Sequence, residues 1–89
     1  MSERVVTVVP EDGLHARPAA KFVEAANEYE AETTVAPVDG DPVDARSMLA
    51  VTSLGVACGD DVRLTAEGED ALDALDALEA VLTTPEAES

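Results

Sequence analysis

The amino-acid sequence predicts an α+β domain with four strands and three helices, the helices stacked on one face of the sheet. Short valine-rich runs alternate with segments whose apolar residues recur at i, i+3, i+4 and i+7. Clusters of glycine and proline separate these segments. The chain has 89 residues, which is enough for a single small hydrophobic core. The predicted order is strand, helix, strand, strand, helix, strand, helix, with the second sheet face in contact with solvent.

The first strand and the first helix follow one another across a turn. Residues 5–9 form a β-branched run, which a Pro-Glu-Asp-Gly cluster ends. The next apolar residues fall on one helix face, so we predict a helix that begins at His15 or Ala16 and ends near Asn27. Pro18 then lies in the first helical turn, where its missing N–H group costs no hydrogen bond.

A hairpin is expected next. Residues 33–38 predict a strand and residues 43–45 a short return strand, joined by a turn at Asp39 and Gly40. Proline cannot donate a hydrogen bond to a neighbouring strand. Pro37 and Pro42 therefore indicate that this hairpin lies at a sheet edge.

A short helix and a fourth strand complete the sheet. Ser47 is a good N-cap for a helix at 48–54, which Gly55 can end. Apolar and polar residues then alternate over 62–66 and predict a half-buried strand. Cys58 is expected as a small buried residue before the turn that precedes this strand.

The last helix shows the strongest pattern. Its predicted inner face combines leucines with smaller apolar residues, namely Leu72, Leu75, Leu78, Leu82, Ala71, Ala74 and Val81. Asp73, Asp76 and Glu79 occupy the predicted outer face. Residues 85–89 are expected to form a frayed acidic tail of a single domain that comprises residues 1–89.

The charge of the chain excludes several classes of partner. Twenty acidic and five basic residues give a formal net charge of −15 and an isoelectric point near 4.1. Such a surface repels nucleic acid and anionic membranes, and no apolar run approaches the roughly 18 residues of a membrane span. The single cysteine allows neither a disulfide framework nor a cysteine-based metal site. We therefore expect a monomeric cytoplasmic protein with no metal, no cofactor, no nucleic-acid partner and no membrane insertion.

The same acidity indicates adaptation to high salt. Only one of the five basic residues is a lysine, Lys21. Repulsion between carboxylates acts over about 8 Å at 0.15 M salt but over only about 3 Å near 1 M. This composition is therefore typical of a cytosolic protein from an extreme halophile.

The only histidine stands where an anion site is expected. His15 lies at the start of the predicted helix, where backbone N–H groups lack intrahelical partners and the helix dipole is positive. Arg17 adds a cation two residues later, and Gly13 permits a tight turn that exposes the ring. A phosphoryl group suits this combination best, and the positive charges favour the neutral, nucleophilic imidazole. Spacing alone leaves open a surface or capping role for His15.

The segment 13–20, Gly-Leu-His-Ala-Arg-Pro-Ala-Ala, resembles the active-site signature of the HPr family, the histidine phosphocarriers of the phosphoenolpyruvate-dependent sugar phosphotransferase system. Residues 46–49 and 52–55 resemble the second helix of that family, and 66–70 its strand-to-helix junction. The resemblance implies an open-faced β-sandwich, in which a four-stranded antiparallel sheet carries three helices on one face. It also implies a phosphoryl carrier that supports sugar uptake, rather than an independent turnover enzyme.

The resemblance assigns roles to individual residues. His15 is implied to accept a phosphoryl group on Nδ1 from phospho-enzyme I and to pass it to a histidine of an enzyme II A domain. Arg17 is implied to neutralise the phosphoryl oxygens, with Ala16 and Pro18 supporting the group at the helix N-terminus. The implied partner-docking residues are Ala20, Met48, Leu49 and Val51.

Ser47 matches a serine that a dedicated kinase modifies in some bacterial members of the family. A phosphate there would sit at a helix N-terminus and alter docking by its charge. Because Ser47 is also a good N-cap, both interpretations stay open at this point.

The chain departs from the family at positions where relatives carry lysines around the active face. Glu24, Asn27 and Ala50 occupy such positions here. Long-range steering is screened at molar salt. Recognition is therefore expected to rely on close apolar contacts together with Arg17.

Two other functions fit parts of the sequence. A regulatory module of the same fold would act by binding partners in sugar or nitrogen signalling, and some relatives of that kind lack the histidine. An acyl carrier protein is also small and acidic, and the Thr-Ser-Leu string at 52–54 loosely resembles its attachment site. Acyl carriers are helical bundles, whereas the valine-rich runs predict strands.

Overall fold

A computed structural model of the chain describes residues 2–9, 13 and 16–84. Within these ranges the elements are β1 (Ser2–Thr7), α1 (Ala16–Asn27), β2 (Glu32–Pro37), β3 (Val43–Asp44), α2 (Met48–Ser53), β4 (Asp61–Glu67) and α3 (Ala71–Thr83). The four strands form one sheet in the order β1-β4-β2-β3, and each neighbouring pair is antiparallel. The predicted fold class and element order are confirmed, and the sheet contradicts the acyl-carrier alternative.

One face of the sheet is apolar because side chains alternate along each strand. In the central strand β4, Val62, Leu64 and Ala66 are all buried. The strand register places Val6 of β1 opposite Val62, and Val35 of β2 opposite Leu64. These side chains form one continuous surface on which the helices pack.

The other face of the sheet carries mainly polar side chains, as predicted. Thr7 Oγ1 donates to Asp61 Oδ1 at 2.5 Å, and the hydroxyl groups of Thr34 and Thr65 form a hydrogen bond between β2 and β4. These bonds link neighbouring strands across the solvent-facing side of the sheet.

Each helix contributes a buried stripe to the core. The fully buried large side chains on the helices are Phe22 of α1, Val51 of α2, and Leu75, Leu78 and Leu82 of α3. Burying one such side chain stabilises the fold by about 1.5–3 kcal/mol, so these few residues dominate the stability of a small domain. Among the described helices, none combines the length and apolar character needed to cross a bilayer.

The prediction for the inner face of α3 is wrong at one position. Leu72 is 61% exposed. Successive residues of a helix are about 100° apart, and the buried stripe contains Ala71 rather than its neighbour. Leu72 therefore lies on the same side as Asp76 and Glu79, four and seven residues later, which belong to the predicted outer face.

The hairpin between β2 and β3 has a longer connection than the predicted turn. Thr34 pairs with Asp44 and Val35 with Val43, which leaves residues 36–42 between the paired positions. The chain does turn where predicted, since the Gly40 N–H group donates to Pro37 O at 2.9 Å, but the predicted strand ends are wrong because strand pairing stops at Val35 and Val43. The edge prediction is confirmed for β3, whereas β2 lies inside the sheet between β4 and β3 and places Pro37 at its end.

The first strand starts earlier than predicted, and the two residues that follow it form hydrogen bonds to a loop and to the last turn of α3. The N–H group of Val8 donates to Asp60 O at 2.9 Å, and that of Val9 donates to Leu82 O at 2.8 Å.

Cys58 is exposed, and its thiol donates to Val9 O at 3.3 Å. The prediction that Cys58 is buried is therefore wrong, because the turn that contains it lies on the surface.

The segment that follows α1 is held from two sides. The carboxylate of Asp70 accepts hydrogen bonds from the N–H groups of Glu30 and Ala31 at 2.9 and 2.8 Å. Arg46 Nη2 donates to the carbonyl oxygens of Tyr29 and Ala31 at 2.7 and 2.9 Å. Asp70 directly precedes α3 and Arg46 lies just before α2, so these bonds connect the end of α1 to the starts of both other helices.

Replacement of Asp70 tests this connection. We expect Asp70→Ala to lower the free energy of unfolding by about 1–3 kcal/mol, because the partly buried Ala31 N–H group loses its acceptor. The loss is to be measured by denaturant unfolding in molar KCl. The matched control is Glu69→Ala, which removes the same charge from an exposed neighbour and is expected to change stability by no more than about 0.5 kcal/mol. Equal losses in the two variants would contradict the assignment.

Candidate functional site

The candidate site surrounds the start of α1. His15 lies outside the described residues, so the site is defined by the residues on either side of it. Among the described residues α1 begins at Ala16, which confirms the predicted helix start, and His15 precedes Ala16 in the sequence. The N–H groups of the first helical turn have no acceptor within the helix. The helix therefore presents donors and the positive end of its dipole at this point.

Gly13 anchors the segment that leads into the helix. It is buried and has a φ of +67°, a conformation that side-chain-bearing residues rarely adopt. A Cβ atom at this position would lie 2.2 Å from Val56 O and 2.7 Å from the Cα atom of Ala57. The backbone of Gly13 thus rests directly on the backbone that follows α2. The sequence predicted the turn at Gly13 but carried no signal for this close approach.

The first turns of α1 divide cleanly into a buried and an exposed side. Pro18 and Ala19 are buried, and Pro18 lies in the first turn as predicted. Arg17, Ala20 and Lys21 are exposed. Packing of α1 on the core therefore directs Arg17, two residues after His15 in the sequence, outward.

α2 provides the second part of the site. Its N-cap is Ser47, which has an extended backbone, and the Ser47 Oγ atom accepts a hydrogen bond from the Ala50 N–H group at 3.2 Å. The predicted capping role of Ser47 is confirmed. Its phosphorylation stays a prediction.

The predicted docking residues do not all reach the surface. Met48 and Leu49 are 40% and 80% exposed, and α2, which carries them, packs against α1. Ala20 is exposed on α1 as well. Val51 is fully buried in the core, so the prediction that it contributes to docking is wrong. A short amphipathic helix must bury one side, and Val51 lies on that side.

Comparisons with known proteins agree with this geometry. The family model described as "PTS HPr component phosphorylation site" matches residues 2–84. The phosphocarrier protein HPr of Haloferax volcanii is 63% identical over 86 residues, which cover 96% of this chain and 97% of that protein.

Solved structures of HPr proteins superpose closely on the fold. The phosphocarrier protein HPr of Bacillus anthracis has a TM-score of 0.87 at 40% identity, covering 91% of this chain and 95% of that one. An HPr dimer from Thermoanaerobacter tengcongensis has a TM-score of 0.70 at 40% identity, covering 91% and 92%.

The role of Gly13 can be tested by comparison with Gly55. The two glycines have the same backbone φ angle but differ in how closely other atoms approach them. Gly55 also has a φ of +67°, but nothing lies within 4 Å of the position that its Cβ atom would occupy. We expect Gly55→Ala to cost about 1–2 kcal/mol of unfolding free energy, the strain of the backbone conformation alone. Gly13→Ala is expected to cost about 1–3 kcal/mol more, because its Cβ atom also collides with the backbone of Val56 and Ala57.

Denaturant unfolding of both variants in molar KCl measures the difference. A Gly13→Ala variant that unfolds at the same denaturant concentration as Gly55→Ala would refute the close contact.

Proposed function

Because the chain belongs to the HPr family of phosphotransferase-system phosphocarriers, we propose that His15 is the residue that carries the phosphoryl group. The group arrives from phospho-enzyme I and leaves to a histidine of an enzyme II A domain. The observation that carries this proposal is the helix start at Ala16, directly after His15, with Arg17 exposed one residue further on. A phosphoryl group on His15 then lies beside both the helix N-terminus and a guanidinium.

The transfer step needs positioning and charge compensation more than further covalent chemistry. The Nδ1 lone pair of His15 forms the new N–P bond while the bond from phosphorus to the donor residue breaks, and that electron pair returns to the donor. The transition state is loose, with negative charge on the three peripheral oxygens. Arg17 and the N–H groups of Ala16 and Arg17 offset this charge. Pro18 has no N–H group and contributes by starting the helix at the right place.

Formation of the phosphohistidine is reversible. In the second half-reaction the N–P bond to His15 is broken in the same way as the donor's bond to phosphorus was broken in the first. Nitrogen of the acceptor histidine attacks phosphorus, and the N–P bond to His15 breaks with its electron pair returning to Nδ1. The protein therefore returns to its starting state without acting as an independent turnover enzyme. Docking of the partner brings the two rings together and excludes water from the bond.

Exposed apolar side chains next to the site form the proposed docking surface. Met48 and Leu49 on α2 and Ala20 on α1 are its members. Such residues bind by burial of apolar area, which high salt does not screen. This property suits a chain with a net charge of −15, and we propose that it acts as a single domain and a monomer in the cytoplasm of a halophile. The high identity to the Haloferax volcanii protein is consistent with the salt adaptation.

A purely regulatory role is not favoured. The chain retains His15, Arg17 and Pro18 together, and the matching family model describes a phosphorylation site. A module that acts by binding alone has no need of this combination. The capping bond of Ser47 likewise gives that residue a structural role without modification.

Loss of the imidazole tests the acceptor. In molar KCl with phosphoenolpyruvate and enzyme I from the same organism, we expect the wild-type protein to gain one phosphate that is stable to alkali and labile to acid. His15→Ala is expected to gain none, as measured by mass spectrometry of the intact protein. Far-ultraviolet circular dichroism controls for folding of the variant. Phosphate that persists on a folded His15→Ala protein would contradict the proposal.

Loss of the guanidinium tests charge compensation. We expect Arg17→Ala to slow phosphoryl transfer about 10- to 100-fold, since a hydrogen bond to a charged group is worth about 1.5–3 kcal/mol. Arg17→Lys keeps the charge but loses the planar fork, so its rate should lie between those of the wild type and the alanine variant. Rates are measured by rapid quench at saturating enzyme I. Because Arg17 is exposed, unfolding free energy should stay nearly constant, and an unchanged transfer rate would refute this role.

A further inference from the structure

The turn that precedes β4 is closed by the side chain of Asp60. The Asp60 N–H group donates to Ala57 O at 3.0 Å, and the Asp60 Oδ2 atom accepts a hydrogen bond from the Ala57 N–H group at 3.0 Å. Gly59, the third residue of this four-residue turn, has a φ of +92°, a conformation that glycine adopts without steric cost. One carboxylate therefore ties the end of the turn back to its start.

The same turn holds the chain that follows β1. The Gly59 N–H group donates to Val8 O at 2.8 Å, and the Val8 N–H group donates to Asp60 O at 2.9 Å. The Cys58 thiol donates to Val9 O at 3.3 Å. Val8 and Val9 have four backbone polar groups between them, and three of these four form hydrogen bonds to the turn.

The start of this turn also contacts the chain that leads into α1. A Cβ atom on Gly13 would lie 2.2 Å from Val56 O and 2.7 Å from the Cα atom of Ala57, so the Gly13 backbone packs directly against both residues. Residues 56–60, named here the supporting segment, thus contact the chain on both sides of residues 10–12.

Asp60 differs from most carboxylates of this acidic chain in its hydrogen bonding. Within residues 2–9, 13 and 16–84, the side chains of Asp44, Asp60 and Asp70 accept hydrogen bonds from backbone N–H groups. Asp44 and Asp70 act near the starts of α2 and α3. Of the three, only Asp60 belongs to the supporting segment. Its bond to a nearby N–H group restricts the conformation of that segment.

We infer that Asp60 is a positioning residue for phosphoryl transfer, which acts through the supporting segment on the chain that carries His15. This inference rests on the proposed function. Only two residues, one of them His15, separate Gly13 from the start of α1 at Ala16, so a shift of Gly13 is passed on to the chain between them. A reacting atom that is misplaced by about 1 Å can lose about 100-fold in rate. The part of Asp60 is to keep the supporting segment closed, not to bind the phosphoryl group.

The test compares the loss of two neighbouring, exposed carboxylates. Asp60→Ala removes the acceptor of the Ala57 N–H group, and the control Asp61→Ala removes the same charge from a side chain that binds the Thr7 hydroxyl instead. Transfer from phospho-enzyme I of the same organism is followed by rapid quench in molar KCl. We expect Asp60→Ala to lower the maximal transfer rate about 3- to 10-fold, the size of effect that one hydrogen bond can have.

The concentration that gives half-maximal rate separates positioning from docking. It is expected to stay within about twofold of the wild-type value in Asp60→Ala, because the proposed docking residues lie on α1 and α2. Asp61→Ala is expected to leave both parameters within about twofold. Far-ultraviolet circular dichroism controls for folding of each variant.

Asp60→Asn separates hydrogen bonding from charge. Its amide oxygen still accepts a bond from the Ala57 N–H group, so its maximal rate is expected to lie within about twofold of the wild-type rate. A maximal rate of Asp60→Ala equal to that of Asp61→Ala would overturn the inference. A loss in Asp60→Asn as large as in Asp60→Ala would also overturn it.

Amide hydrogen exchange of the ¹⁵N-labelled proteins gives a readout that needs no phosphoryl chemistry. The inference predicts that the Val8 and Gly59 amides exchange about 3- to 10-fold faster in Asp60→Ala than in Asp61→Ala, with no difference along α3. Equal exchange in the two variants would overturn it. Phosphate uptake by the wild type but not by His15→Ala supports the proposed function whatever the Asp60 variants do, so the two failures are distinguishable.

Discussion

The packing of α1 against the core decides which groups a partner protein can reach. Phe22 and Ala19 are fully buried, and this burial turns Arg17, Ala20 and Lys21 to the surface. The helix is fixed at both ends. Gly13 rests on the backbone after α2, and the segment beyond Asn27 is held by Asp70 and Arg46. The start of the helix therefore has a defined place on the protein.

Under the proposed function, a small phosphocarrier exchanges its phosphoryl group with two different partners through groups exposed on its surface. The groups that the structure describes here are an exposed cation at the start of α1, Arg17, and two exposed apolar side chains on the neighbouring α2, Met48 and Leu49. None of these encloses a substrate. Under this proposal each partner completes the site by docking, and the phosphoryl group moves while water is excluded. Rapid release requires that docking stays weak, which a small patch of this kind provides.

The sequence predicted best the features that depend on local chemistry. The start of α1, the capping bond of Ser47 and the edge position of β3 follow from backbone donors, a hydroxyl acceptor and the geometry of proline, and the structure confirms each of them. The motif around His15 was recognisable for the same reason, since its chemistry lies within a few consecutive residues. His15 itself lies outside the residues that the structure describes.

The errors concern features that depend on tertiary contacts. α3 contains more leucines than its buried stripe can hold, so periodicity alone did not show that Leu72 lies on the outer side. α2 has only six residues, too few to show which side faces the core, and Val51 was placed on the wrong one. The close approach of Gly13 to Val56 joins segments more than forty residues apart. No local pattern encodes such a contact.

We propose that His15, the only histidine in the sequence, carries the phosphoryl group on its Nδ1 atom. Nuclear magnetic resonance of the phosphorylated, ¹⁵N-labelled protein tests it directly, because the chain has only one imidazole. Coupling of the phosphorus resonance to the Nδ1 atom of His15 is the predicted result. A phosphorus resonance typical of an ester on a hydroxyl or carboxylate, with no coupling to ring nitrogen, would contradict the claim.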